Sequence, residues 1–385
     1  MASWGNQEEE EPMRGSRLFA GPVGKKPSAR GNGLDFEIEV EEEPWCLSPD
    51  ELETWYHAGN KNMQHGTELF AHDCISLIKS LLKGIRDSTR HSDTLGFTNT
   101  VVQGGSFGKG TMVKNLSDVD LVLFVNNPPL QPITETGNLK EYKRALPNII
   151  SHLGSNVGGP RGLQPDLRLE KHLVNFKTYV RDRLVEFNLL PTTEQNVEHF
   201  RDTDRNTFLS MLDVGHETRA FLSASFVEHQ VRFVGNQPKD VKELICLVKY
   251  WASRFLPEKL QKSYPLELIT IDRWEKAEKA EQPGRRLRRR RLNKAQGLKS
   301  VLEVLTNLNR PPTYWSYMPG VDDQLNETII TKLNMERPII LDPANPTNNV
   351  GGLYRGNNKK VIKDAAERTL RRTALLGNVR EWPTI

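Results

Sequence analysis

The sequence predicts an α+β chain of two lobes. A lobe built on a mixed or antiparallel sheet comes first, a helical lobe follows, and the active site falls in the cleft between them. Three observations lead there. Runs of strand character lie between residues 97 and 190. Helical spacing of apolar residues dominates from Lys239 onward. Between two of the strands stands a glycine-rich turn, and the second of these strands opens with Asp118-Val119-Asp120. A chain of 385 residues accommodates two or three domains or one bilobal unit. The boundaries read as a disordered tail over 1–44, a sheet lobe over 45–235 and a helical lobe over 236–385.

The tail mixes Gly, Pro and charge and cannot bury enough apolar surface to offset its ordering entropy. Ser48-Pro49-Asp50-Glu51 is a capping box with proline at the first helical position, and Leu47 and Leu52 form its hydrophobic staple. A second helix is expected over roughly 67–85, where Cys74, Ile75, Leu77, Ile78, Leu81, Leu82 and Ile85 keep helical spacing. Phe97–Val102 reads as a strand leading into the turn Gly104–Gly110. In the strand Asp118–Val125, the residues Asp118, Asp120, Val122 and Phe124 share one face, and Val119, Leu121, Leu123 and Val125 the other. His172–Val180 and Leu184–Leu190, the latter ending at Pro191, are two more strand candidates. Val241, Leu244, Ile245, Leu247, Val248 and Trp251 form an apolar helical stripe, and Leu266–Trp274, Ala295–Leu308 and Ile362–Leu376 also read as helices.

Composition narrows the functional classes. The net charge of +4 and the 26% of charged residues permit a polyanionic partner without requiring one. Cys46, Cys74 and Cys246 are odd in number and far apart, which argues against a disulfide framework or a zinc site and for a reducing compartment. No apolar run approaches the ~18 residues of a membrane span, and the N-terminus is polar and acidic rather than a signal peptide. A cytosolic location, with a nuclear one as a further option, is expected. The run Arg285–Arg291 reads as a solvated loop, an RNA contact or a nuclear localisation signal. Trp251, Trp274 and Trp315 are expected in the core, and the three cysteines are expected to be inert.

The chemistry concentrates in Gly104-Gly105-Ser106-Phe107-Gly108-Lys109-Gly110-Thr111 and in Asp118-Val119-Asp120. Glycines let backbone approach a phosphate, and a serine hydroxyl with free N–H groups binds its oxygens. Two aspartates two apart on a strand project from one face with Cα atoms about 7 Å apart. Carboxylates so placed can bracket the divalent ions of a two-metal phosphoryl or nucleotidyl transfer. The spacing is not a Walker motif, because no Gly-Lys-Ser/Thr opens a helix after it.

These segments resemble the signature of the 2'-5'-oligoadenylate synthetases, within the polymerase-beta-like nucleotidyltransferases. The likeness continues through Val185–Pro191, Leu247-Val248-Lys249-Tyr250-Trp251, Tyr264–Glu275, Ala295-Gln296-Gly297, Tyr314-Trp315, Arg337–Thr347 and Gly351-Gly352. It implies a bilobal nucleotidyltransferase fold and an ATP-joining activity that makes 2'-5' oligoadenylates and releases pyrophosphate, in RNA-sensing innate immunity. It further implies that Gly105, Ser106, Lys109 and Lys249 bind nucleotide, that Asp118 and Asp120 hold two Mg2+ ions, and that duplex RNA is a partner. Of the basic face that meets RNA, the matching positions here are Gln103, Val231 and Gly235, while Arg232 and Lys239 lie close by as substitutes.

The sequence departs from the family pattern at the third catalytic carboxylate, where Asn188 stands. An amide carries no charge and cannot act as a base. One unit charge about 4 Å from another is worth roughly 4 kcal/mol at an effective dielectric near 20, on the order of a thousandfold in rate. Asp213 and Glu186 are alternative sources of the missing carboxylate. Cys246 and Ser263 replace an arginine and a glutamine of the family. Three readings therefore stand: a synthetase, a catalytically impaired nucleotide- or RNA-binding module, and a nucleotidyltransferase with another acceptor such as a cyclic dinucleotide synthase.

Overall fold

This computed structural model describes residues 43–58, 72–80, 83, 97–113, 118–125, 147, 151, 166–169, 173–180, 183–193, 205–280, 293–372, 376, 379 and 382. The tail over 1–42, the ends of the helix expected at 67–85 and the run Arg285–Arg291 lie outside them.

Helix α1 (Pro49–Ala58) starts as its sequence dictates. The Ser48 backbone N–H donates to Glu51 Oε2 at 2.7 Å, and the Glu51 N–H donates to Ser48 Oγ at 3.3 Å. Sequence order groups α1 with the sheet, yet its buried residues Leu52 and Tyr56 join Trp45 and Leu47 in the core of the helical lobe. Residues 72–80 are helical as expected and constitute α2.

The sheet holds β1 (Phe97–Gln103), β2 (Val119–Val125), β3 (Asp166–Leu169), β4 (Val174–Val180) and β5 (Arg183–Thr193), in the order β1-β2-β5-β4-β3. Only the central β2–β5 pairing among these is parallel, so the sheet is mixed. Both faces are covered. Val119, Leu121 and Leu123 enter one apolar cluster, and Val122 and Phe124 enter another with Leu190 and Val227. The two faces of β2 are those the alternation predicts. Two details differ from expectation. Pro191 does not end β5, which runs on beside β2 to Thr193. The β4 pairing stops at Leu189, so the missing proline N–H costs the β4–β5 ladder nothing. Strand β3 carries no sequence signal strong enough to announce it.

Between β1 and β2 the expected glycine turn coils into a short helix, α3 (Gly105–Lys109), closed by Gly110 in the left-handed conformation. Helices then run from Arg205, earlier than expected. They are α4 (Arg205–Ser210), α5 (His216–Ser225), α6 (Val227–Gly235), α7 (Lys239–Phe255), α8 (Ser263–Ala280), α9 (Lys294–Thr306), α10 (Asp323–Lys332) and α11 (Gly356–Arg372), with the short hairpin β6 (Leu341–Asp342) and β7 (Asn345–Asn349) before the last. The stripe Val241, Leu244, Ile245, Leu247, Val248 and Trp251 is fully buried and centres the helical core. Trp251 donates its indole N–H to Thr369 Oγ1 at 2.9 Å, and Trp315 donates to Glu275 Oε2 at 3.1 Å, so both tryptophans are packing residues with satisfied polar atoms. The three cysteines are free thiols, and burial pushes the Cys246 thiol up to about 11, which suppresses its thiolate.

Candidate functional site

The phosphate-loop candidate is fastened to β2 by backbone. The Gly104 N–H donates to the Asp120 carbonyl at 2.8 Å. Gly105 has φ +54°, and a Cβ there would sit 2.0 Å from Asp120 Oδ2. Glycine is therefore required on two counts, backbone conformation and space for the carboxylate. Ser106 follows and is buried.

Helix α7 brings Lys249 to this loop. Its ammonium donates to Ser106 Oγ at 2.6 Å and to the Thr111 carbonyl at 2.7 Å. Helix α8 brings Glu267, fully buried, which accepts from Lys109 Nζ at 2.9 Å and from Thr111 Oγ1 at 2.9 Å. Glu267 also lies 3.6 Å from Lys249 Nζ. Burial alone would push the Glu267 carboxyl up, but the Lys109 and Lys249 ammonium groups outweigh it and hold the group at about 2. Burial pushes Lys249 below the usual lysine range, and Glu267 opposes that shift. Lys109 also rests over the Tyr264 ring, 3.9 Å from its centroid. The Tyr264 hydroxyl donates to Asp342 Oδ1 at 2.7 Å, and Gln230 Nε2 donates to Asp342 Oδ2 at 2.6 Å. Burial raises the Asp342 carboxyl, and these bonds restrain the rise.

Ser106, Lys109 and Lys249 are thus brought together around Thr111 and Glu267. Glu267 and Asp342 are the polar hubs that sequence reading missed. Glu267 sits in an apolar helical run with no local sign of a lysine partner, and no residue near Asp342 in the chain marks it as the acceptor for Tyr264 and Gln230. Two buried lysines share the one carboxylate of Glu267, which leaves positive charge available beside Ser106 for an anion such as a phosphate.

Asp118 and Asp120 do point to a common place next to this loop. Asn188 faces them across the β2–β5 pairing, in register with Asp120. Its amide Nδ2 donates to Asp120 Oδ1 at 3.0 Å and to Asp118 Oδ2 at 2.5 Å. Burial, followed by the neighbouring Asp120 charge, raises the Asp118 carboxyl. The Asn188 carbonyl faces the other way and accepts from Asn175 Nδ2 at 2.8 Å. Neither alternative for a third carboxylate takes the place of Asn188, Asp213 because of its position and Glu186 because of its partners, although the Glu186 charge reaches Asp118 and helps raise it. Asp213 is exposed in the turn after α4. Glu186 is held by Asn175 at 2.6 Å and paired with Lys177 at 3.0 Å. Divalent magnesium takes oxygen ligands, and the third position offers the carboxylate pair two N–H donors instead. The donor set does not fit a two-magnesium centre.

Arg232 and Lys239 lie apart from this cluster, at the end of α6 and the start of α7. Both are largely exposed, Arg232 paired with Glu228 at 3.0 Å and Lys239 lying 3.7 Å from Glu243. Cys246 is fully buried beneath the loop, with its thiol 3.9 Å from the Met112 carbonyl.

Comparison with known proteins identifies the family. Residues 204–382 match the family model described as 2'-5'-oligoadenylate synthetase 1, domain 2, C-terminus. The chain is 30% identical to 2'-5'-oligoadenylate synthase 1A of Rattus norvegicus over 66% of this chain and 71% of the relative. It is 31% identical to the protein named inactive 2'-5'-oligoadenylate synthase 1B of Rattus norvegicus, over 70% of this chain and 72% of that one. Among solved structures, CdnC of E. coli MS115-1 in complex with HORMA-deltaN superposes with a TM-score of 0.54 at 19% identity, covering 82% of this chain and 88% of the other, a likeness of fold. On the relatives' identity and coverage, this chain belongs to the 2'-5'-oligoadenylate synthetase family.

Proposed function

We propose that this chain is a nucleotide-binding member of its family whose transfer chemistry is suppressed, with ATP as the nucleotide. The observation that carries the proposal is the Asn188 amide donating to both Asp118 and Asp120. Beside it, Ser106 and the buried Lys249 and Lys109 supply the hydroxyl and positive charge that a triphosphate requires. The phosphate half of the site is complete, while the half that would activate the acceptor lacks a charge. That missing charge is worth roughly 4 kcal/mol at about 4 Å and an effective dielectric near 20, on the order of a thousandfold in rate.

The test is direct. Purified protein is given ATP, magnesium and duplex RNA, and pyrophosphate release is followed beside ATP binding. Wild type is expected to bind ATP with negligible turnover, and Asn188→Asp to turn over. Brisk wild-type turnover left unchanged by the substitution would refute the proposal.

A second reading, a working 2'-5'-oligoadenylate synthetase, is favoured by the retention of Asp118 and Asp120 beside Ser106. It requires 2'-5'-linked products from wild type, which mass spectrometry and linkage-specific nuclease digestion distinguish from cyclic dinucleotides. For either reading, duplex RNA is the partner assigned to the exposed Arg232 and Lys239, because phosphate contacts from exposed cations carry shape-based RNA binding.

A further inference from the structure

We infer that Asn175 fixes which way the Asn188 amide faces, and that this makes the Asp118–Asp120 pair a poor site for divalent cations. The inference deepens the proposed function and rests on its view of that pair as the family's metal position.

Asp120, Asn188 and Asn175 form one row across β2, β5 and β4, each in register with the next. The hydrogen-bonded chain through this row ends on carboxylates, Asp118 and Asp120 on one side and Glu186, two residues before Asn188 on β5, on the other. An ionised carboxylate only accepts hydrogen bonds. Between the ends lie two amides, each with two N–H groups and one carbonyl. Asn175 gives one N–H to Glu186 Oε1 at 2.6 Å and the other to Asn188 Oδ1 at 2.8 Å. Asn188 then has both of its N–H groups for Asp118 and Asp120. Every amide donor in the row is used, and Asn175 is the source: its two N–H groups point to Glu186 and to Asn188, and those of Asn188 point on to the pair.

If Asn188 turned over, its carbonyl would face two carboxylates and its NH2 would face the NH2 of Asn175. Both asparagines are buried, 5% and 8% exposed, so water does not repair such contacts. An unmade bond at a buried donor or acceptor leaves that group desolvated with nothing in exchange. Glu186 is in turn paired at 3.0 Å with Lys177, its partner across β4 and β5, which favours the side chain where Asn175 meets it. The N–H edge of Asn188 therefore keeps its partial positive charge between the two carboxylates, where a cation would otherwise lie.

Asn175 is a positioning residue, and its test reads metal binding rather than turnover. Mn2+ is titrated into the full chain and free ion is followed by electron paramagnetic resonance. The informative variant is the double substitution Asn175→Asp with Glu186→Gln, which conserves charge and reverses donor and acceptor at the head of the row. It turns the Asn188 carbonyl toward Asp118 and Asp120. We expect its Mn2+ affinity to rise by about tenfold or more, as for Asn188→Asp, with Glu186→Gln alone staying at the wild-type level. A gain for Asn188→Asp with none for the folded double variant overturns the role of Asn175 and leaves the proposed function standing. No gain for Asn188→Asp shows that the pair is not a metal position and removes both. Wild type supplies a second readout. Its Asn188 side-chain amide proton signals, assigned by their loss in Asn188→Asp, are expected to be unmoved by millimolar Mg2+. A shift there overturns the inference even if the double variant does not fold.

Discussion

Lys249 Nζ lies 2.6 Å from Ser106 Oγ although 143 residues separate the two in sequence. Through this bond the central helix of the helical lobe docks on the loop between the first two strands of the sheet. Both residues are buried, so the contact is a junction between the lobes.

Lys249→Met keeps the length of the side chain and removes its charge. Hydrogen bonds to charged groups are worth about 1.5–3 kcal/mol, so ATP affinity is expected to fall about 10–100-fold by calorimetry. An unchanged affinity would place the triphosphate elsewhere.

Glu267→Gln leaves Lys109 and Lys249 without the carboxylate they share. Breaking a buried pair on one side costs about 3–5 kcal/mol, visible as a lower denaturation midpoint at neutral pH. The pH dependence follows from the sign of the shift. Glu267 is held at about 2 against an ordinary 4.5, so its stabilisation is present above 4.5 and is lost as pH falls through about 2. Asp118 and Asp342 are shifted upward, and their contributions grow rather than fade as pH drops. The difference between wild type and variant isolates Glu267, and that difference is expected to shrink below pH 4.5.

Gly105→Ala forces a Cβ into the left-handed region and to within 2.0 Å of Asp120 Oδ2. Left-handed backbone alone costs roughly 1–2 kcal/mol, and displacing the carboxylate adds to it. Thermal unfolding is expected at a lower temperature and ATP binding to weaken together with it. A variant as stable as wild type would contradict the close approach of loop and β2.

Asn188→Asp places a third carboxylate against two others, one of which, Asp118, is already raised by burial and by Asp120. Without divalent ions the variant is expected to be less stable than wild type by about 1–3 kcal/mol, because two donated hydrogen bonds become like-charge contacts. Adding Mg2+ should restore its melting temperature while leaving wild type nearly unchanged. Equal responses of the two proteins would count against the role given to Asn188.

Local order was written in the sequence wherever its cause spans a few residues. The capping box at Ser48 and Glu51 formed as spelled, because both partners lie within one helical turn. The alternation in β2 assigned Asp118 and Asp120 to one face correctly, because strand periodicity needs no knowledge of neighbours. The glycine-rich segment marked a turn between the first two strands, but not its coiling into α3 or the close approach of Gly105 to the Asp120 carboxylate. Motif likeness added Lys249 and Asn188 to the list of residues that matter.

Tertiary structure decided what those residues face. Glu267 meets Lys109 across 158 positions, and Tyr264 meets Asp342 across 78, distances over which periodicity carries no information. Helix α1 precedes the sheet in the chain yet packs with the helical lobe, because Leu52 and Tyr56 find their apolar partners there. Above all, the sequence identified an asparagine where a carboxylate was due, but not which end of its amide would meet Asp118 and Asp120. A side-chain amide is both donor and acceptor, and only Asn175 on the far strand, itself committed to Glu186, determines which end it presents.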